Sequence, residues 1–533
     1  MKAKPLAENS PSLEQAVGQK LLLTFAGKDR PSPEILDAIR QIKPAGFTLF
    51  RALNVGYPAQ LRALTGALQQ AAREAGMAPL LIAADQEGGQ LMAIGDGTLF
   101  PGNMALGATD SPELARRTGF AIGQELAAMG VNVDYAPVCD VNANPLNPGV
   151  GTRSFGEDPV RVAHLSSAMV EGLQAAGVAA TAKHFPGLGD ASTDSHYGTP
   201  VLLHDRDRLN QVELPPFEAA IRSGVRMVLI GHIGLPELNR GVDIPATLSP
   251  SVIGGLLRRD LGFEGVIVTD AMDMKAIQQG PGLASDAVAA VKAGVDLLLL
   301  SGSFEEQRMV YAALLQAVRG EQLSLREIYA SAARVAGLRD WLAGQSQPDL
   351  DIVNCRQHRD LADEIACRAI TLVRDSAKIL PVHLFPQARV AAIMPRPQDL
   401  TPADTSSFVA PGLAEALRRY HPGVDEYIIP INPDAADIAG LSDQVANYDL
   451  IVVGTIDAGR HLGQAALVNT LLQSQAPVVV VALRLPYDLE AFPNAPTYAC
   501  TYSILPPALH ALAAALFGKI PFAGRLPVTI PGI

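Results

Sequence analysis

"VAATAKHFPGLGDASTDSH", residues 178–196, begins as a buried strand and ends as a loop crowded with ionisable groups. The run Val178–Ala182 is small, apolar and unbroken, which is how a strand covered on both faces reads. Lys183, His184, Asp190, Asp194 and His196 then follow, interspersed with Pro186, Gly187 and Gly189. Polar groups placed at the carboxyl end of a buried strand are the habit of parallel α/β folds, whose sites lie at that end.

Seven comparable runs accompany this one: "LLLTFAG" from Leu21, "GFTLF" from Gly46, "LLIAAD" from Leu80, "VNVDYAPV" from Val131, "RMVLIGH" from Arg226, "GVIVTD" from Gly265 and "VDLLLL" from Val295. Between most of them lie amphipathic helical stretches, such as 58–76 and 111–130. In the second of these, Ser111 followed by Pro112 reads as a helix cap and a first-turn proline. Eight strands alternating with helices predict an N-terminal (β/α)8 TIM-type barrel, with a doubly wound sheet as the competitor. In the barrel, Asp85, Asp140, Lys183, His184, His232 and Asp270 all fall at or just past strand ends, on the face where βα loops converge.

The pattern changes after Trp341. "LAGQSQPDLDIVN" (342–354) reads as a linker and "QHRDLADEIACRAITLV" (357–373) as a connecting helix. Strand candidates at 390, 427, 450 and 478 then predict a smaller, mostly parallel sheet with helices on its faces. The expected organisation is a barrel over 1–342, a linker and connecting helix over 343–375, and a second α/β domain over 376–533. "DAGRHLGQ" at 457 is expected to be a surface loop, with a loop facing the barrel as the alternative.

At 533 residues the chain is long enough for two cores. A net charge of −12 argues against a nucleic-acid partner, which needs a basic face. The N-terminus lacks a signal-peptide pattern and no run reaches membrane-spanning length, so a cytoplasmic protein without a membrane partner is expected. The four cysteines are too scattered for a zinc site or a disulfide framework and read as packing residues.

Retaining cleavage of a glycosidic bond needs one group to attack the anomeric carbon and another to protonate the leaving oxygen and then activate water. Asp270, fixed at a strand end and ionised at neutral pH, suits the first role; Asp273, on the following loop, suits it less. His196 can give and take a proton near neutrality, and Asp194 two residues earlier can hold its ring. The same pair also fits an Asx-type turn with a solvated histidine. Lys183 and His184 supply donors suited to sugar hydroxyls, while the glycines of "FPGLGD" are read as letting the loop fold and move.

Together with "DQEGG" at 85, "RSFGEDP" at 153, "PATLSP" at 245 and "GFEGVIVTDAMDMKAI" at 262, this loop resembles glycoside hydrolase family 3. Within it, the chain is most similar to bacterial β-N-acetylglucosaminidases with an Asp-Ser-His loop. "APVVVVALRLPYDL" at 476 and "RLPVTIP" at 525 look like the family's second, α/β sandwich domain. The resemblance implies that Asp270 is the nucleophile, His196 the acid/base and Asp194 its partner, with Asp85, Arg153, Lys183 and His184 binding the nonreducing sugar. His232, at the end of the sixth strand, joins the candidate substrate-binding residues. The family's "DQEGG" is usually followed by arginines, yet Gln90 and Ala93 stand at those positions, and Leu188 stands where His is common.

The leading expectation is therefore a retaining exo-β-N-acetylglucosaminidase acting on cytoplasmic cell-wall fragments in peptidoglycan recycling, with no metal or organic cofactor. A β-glucosidase or β-xylosidase, or a phosphorylase using phosphate in place of water, is the near alternative. A metal-dependent barrel hydrolase using Asp85, His184, His232 and Asp270, or a noncatalytic sugar sensor, is the distant one.

Overall fold

The computed structural model describes residues 11–277 and 282–532. Eight parallel strands close into a barrel: β1 (Leu21–Leu23), β2 (Gly46–Thr48), β3 (Leu81–Ala84), β4 (Val133–Asp134), β5 (Ala179–Phe185), β6 (Met227–Ile230), β7 (Val266–Ala271) and β8 (Leu297–Leu300). Each strand pairs with its sequence neighbour, and β1 with β8 completes the ring. The doubly wound alternative is thereby excluded.

The apolar runs do two jobs by alternation. Leu22, Leu81, Val133, Met227, Leu229, Val268, Leu297 and Leu299 fill the barrel interior, while Leu21, Leu23, Ile82, Val228, Ile267 and Leu298 pack outward on the helices. The period-two geometry of a strand explains why such runs must be apolar on both faces. Val335, Leu338 and Trp341 of the helix Leu325–Ala343 join the interior cluster. The helix Pro112–Ala128 starts as expected, with Ser111 Oγ accepting from the Leu114 N–H and proline in the first turn.

The second sheet has six strands: β9 (Thr371–Asp375), β10 (Val390–Pro395), β11 (Val424–Ile429), β12 (Leu450–Thr455), β13 (Val478–Ala482) and β14 (Thr497–Cys500), in the order β9-β14-β13-β12-β10-β11. All pairings are parallel except β9 with β14. β9 and β14 had no counterpart in the sequence reading. The connecting helix ends at Ala369, and the "TLV" read as its tail opens β9.

Apolar clusters cover both faces of this sheet. One of them takes in Met104, Ala105 and Ala108 from the helix Asn103–Thr109 of the barrel unit, so the two units share buried surface. Among the described residues no helix is long and apolar enough to cross a membrane. The first ten residues, part of the stretch searched for a signal peptide, lie outside the described residues.

Candidate active site

A cavity of about 590 Å³ opens at the carboxyl ends of the barrel strands. Asp85, Arg153, Lys183, His184, Asp194, His196 and Asp270 all line it. The register of β5 against β6 shifts between Ala182 and Phe185, which breaks strict alternation there. Consequently both Lys183 and His184 reach the cavity, where strand geometry alone would have sent one away.

Lys183 Nζ lies 2.6 Å from Asp85 Oδ1 and 2.6 Å from Glu87 Oε1. Arg153 grips Glu87 with two bonds, Nε to Oε2 at 3.0 Å and Nη2 to Oε1 at 2.7 Å. Burial opposes ionisation of Glu87, but the charges of Arg153 and Lys183 outweigh it and hold its carboxyl down to about 2. The same network works on Lys183 in the opposite sense: burial disfavours its charge, and Asp85 and Glu87 more than restore it. Glu87 lies inside "DQEGG" but had been given no role; two cations converging on one buried carboxylate are visible only in the fold. Asp134, missed as well, accepts from the Gln86 N–H at 2.9 Å. Burial pushes its carboxyl well above the usual range.

His184 is oriented by Asp140, whose Oδ2 lies 2.7 Å from Nδ1, and its Nε2 faces Arg153 Nη2 at 3.4 Å. Asp140 Oδ1 also accepts from the Leu188 N–H at 2.7 Å, tying the start of the loop to the fourth βα connection. The loop glycines serve packing here. A β-carbon on Gly189 would meet the Val141 carbonyl oxygen at 1.7 Å, and one on Gly187 would meet Glu213 Cβ at 2.8 Å.

Asp270 is the penultimate residue of β7, with its Oδ1 accepting from the Ala271 N–H at 2.8 Å. Burial raises its proton affinity, while the potential of His184, His232 and His196 and that N–H bond lower it; the balance leaves it below its ordinary value. Asp194 Oδ1 accepts from both the backbone N–H of His196 at 2.9 Å and its ring Nδ1 at 2.7 Å. Burial opposes its charge too, but these bonds and the charges of His196 and Arg153 prevail. The Asx turn and the carboxylate–imidazole pair, which had been rival readings, are present together.

His232 is not brought to the cavity. It is fully buried, with Nδ1 2.7 Å from Thr247 Oγ1 and Nε2 3.0 Å from the Ala271 carbonyl oxygen, so it braces the segment after Asp270. The four residues of the metal-hydrolase alternative do not group at ligand spacing; among the described residues that spacing is met by Asp190, His204 and Glu213, away from the cavity.

The second domain also reaches the site. Asp399, Asp404, Thr405 and Phe408 line the cavity, and Arg484 pairs with Asp404 at 2.8 Å and bonds the Gln90 side chain. Gln90 thus becomes a seam between domains. Arg460 of "DAGRHLGQ" donates to the Leu146 carbonyl at 2.7 Å, so this stretch faces the barrel and is not the free surface loop expected.

Residues 12–338 match the model of the Glycosyl hydrolase family 3 N terminal domain. The chain belongs to glycosyl hydrolase family 3. It is 33% identical to Beta-hexosaminidase A of Pseudoalteromonas piscicida, over 97% of this chain and 96% of that protein. It is 30% identical to a Beta-N-acetylglucosaminidase/beta-glucosidase of Cellulomonas fimi, over 90% of this chain and 89% of the relative. The solved family 3 β-N-acetylglucosaminidase from Paenibacillus sp. str. FPU-7 superposes with a TM-score of 0.92 at 36% identity, covering 98% of this chain and 99% of that one. As a member of family 3, the chain is a glycoside hydrolase.

Proposed function

We propose that this glycoside hydrolase is a retaining exo-β-N-acetylglucosaminidase with Asp270 as nucleophile and the Asp194–His196 pair as acid/base. The observation that carries the reading is the shared cavity wall: a carboxylate held ionised at a rigid strand end, and an imidazole held by a buried carboxylate on a loop. Asp85, Lys183, Arg153 and His184 would bind the hydroxyls of the terminal sugar, with Glu87 fixing the two cations. In the first step Asp270 attacks the anomeric carbon while His196 protonates the departing oxygen; in the second, neutral His196 takes a proton from water as the glycosyl ester opens. Asp194 steadies the imidazolium that enters the first step and forms again in the second.

The hexosaminidases at high coverage support the acetamido sugar, and cytoplasmic cell-wall fragments are the substrate source this reading favours. The barrel unit over 1–342 carries the chemistry in this proposal, with 376–533 as the supporting domain. Nitrophenol release from the β-N-acetylglucosaminide and the β-glucoside, side by side and with or without phosphate, tests it. The acetamido sugar should be preferred without need of phosphate. Asp270→Ala should abolish turnover. His196→Ala should slow a natural disaccharide by about 10²–10⁴-fold and a good aryl leaving group far less, because the latter needs little protonation. Equal losses on both would overturn the role of His196.

A further inference from the structure

The segment 399–408 belongs to the second domain but is built into the wall of the first. Thr405 donates its N–H to the Gln90 carbonyl at 3.0 Å, and its hydroxyl lies 3.0 Å from that carbonyl and 3.1 Å from the Met92 N–H. The Gln90 side chain donates to the Ala403 carbonyl at 3.1 Å. On the other side, buried Asp404 accepts from Ser406 N–H and Oγ at 2.9 and 2.6 Å and from Arg484 at 2.8 Å. A backbone tied this densely holds its side chains in place.

What it holds in place is Phe408, which lines the sugar cavity with 54% of its surface exposed. The Arg51 guanidinium, also in the cavity wall, sits over the ring at 4.2 Å from its centroid. The cavity is graded: Lys183, His184 and Arg153 are buried, whereas Asp273, Lys275, Asp399 and Phe408 are exposed. The terminal sugar therefore belongs with the buried group, and whatever is attached to it emerges past the exposed one.

We propose that Phe408, delivered by the second domain, is the platform on which the sugar ring of the leaving group stacks. The C–H face of a pyranose carries the partial positive charge that the negative face of an aromatic ring attracts. The proposal rests on the glycosidase reading of the cavity and adds the determinant of leaving-group preference.

The test is the ratio of kcat/KM for the disaccharide of N-acetylglucosamine to that for its methyl β-glycoside, which lacks a second ring. Phe408→Ala and Phe408→Leu should each lower this ratio about tenfold, and Phe408→Trp should keep or raise it. The leucine variant keeps an apolar side chain against Arg51, so it separates loss of the aromatic face from loss of packing. A ratio unchanged within twofold in Phe408→Leu overturns the platform. Should the wild type favour glucosides, the acetamido-sugar reading fails, and the same ratio measured with cellobiose and methyl β-glucoside decides the platform separately.

Discussion

Glu87→Gln is the substitution whose consequence can be worked furthest from the geometry. Its carboxylate is buried and accepts from Arg153 twice and from Lys183 once, which holds its pKa near 2 against an ordinary 4.5. At about 1.4 kcal/mol per pKa unit, the ionised form contributes roughly 3 kcal/mol to folding at neutral pH. Breaking a buried ion pair by removing one partner costs about 3–5 kcal/mol, which agrees. Because the folded value lies below the unfolded one, the contribution is complete above about pH 4.5 and disappears as pH falls through about 2. The gap between wild type and Glu87→Gln should therefore be about 3 kcal/mol at pH 7, about 2 kcal/mol at pH 3.5, and smaller below that. The single tryptophan, Trp341, packs against the barrel interior cluster, so its emission during urea unfolding reports the barrel selectively. A gap under 1 kcal/mol at pH 7, or one that does not narrow toward low pH, would refute the assignment of Glu87 as the charge that holds Arg153 and Lys183.

Other outcomes follow from the same contacts. Asp194→Asn should lower kcat on the disaccharide by about 10²-fold while changing KM little, since the amide keeps the shape but no longer stabilises the imidazolium; steady-state kinetics on both glycosides check this. Asp488 is buried and burial pushes its pKa up to about 7, so folded stability should fall as pH rises from about 4 to 7; in urea titrations across that range Asp488→Asn should flatten the slope. Leu22→Ala, in the barrel interior, should cost about 2–5 kcal/mol by the same tryptophan signal.

What could be read in advance was what is local. All eight barrel strands announced themselves because a strand buried on both faces has to be continuously apolar, and Asp85, Lys183 and Asp270 were found by looking at where such runs end. β9 stayed hidden because a helix runs up to Ala369 and the strand begins at Thr371, with no turn residue between. β14 reads "TYAC", with no aliphatic run to mark it as a buried strand. The strand-end rule alone puts His232 in the cavity; Thr247, which takes one of its ring nitrogens, lies 15 residues further along the same connection. Glu87, Asp404, Arg484 and Phe408 depend on contacts across loops or domains. Thr405 and Gln90, 315 residues apart, carry no pattern that ties them together.

The two proposed catalytic groups are mounted differently, and their tasks account for it. As the proposed nucleophile, Asp270 would attack one carbon from one direction, so a strand end is the right support; His232 beneath the next residue stiffens it further. As the proposed acid/base, His196 would have to address two partners in turn, the departing oxygen and then a water entering where that oxygen had been. It is accordingly 27% exposed in its side chain and sits on a loop. That loop is fastened at its ends, by Asp140 on Leu188, by His204 2.8 Å from Asp190, and by Thr199 on the Ala276 carbonyl at 2.8 Å. Between these fastenings Asp194 alone, among the described residues, fixes the ring. A shuttle free to follow the leaving group but tethered to one carboxylate can serve both half-reactions without losing its orientation, which is what a loop-borne histidine offers over a strand-borne glutamate.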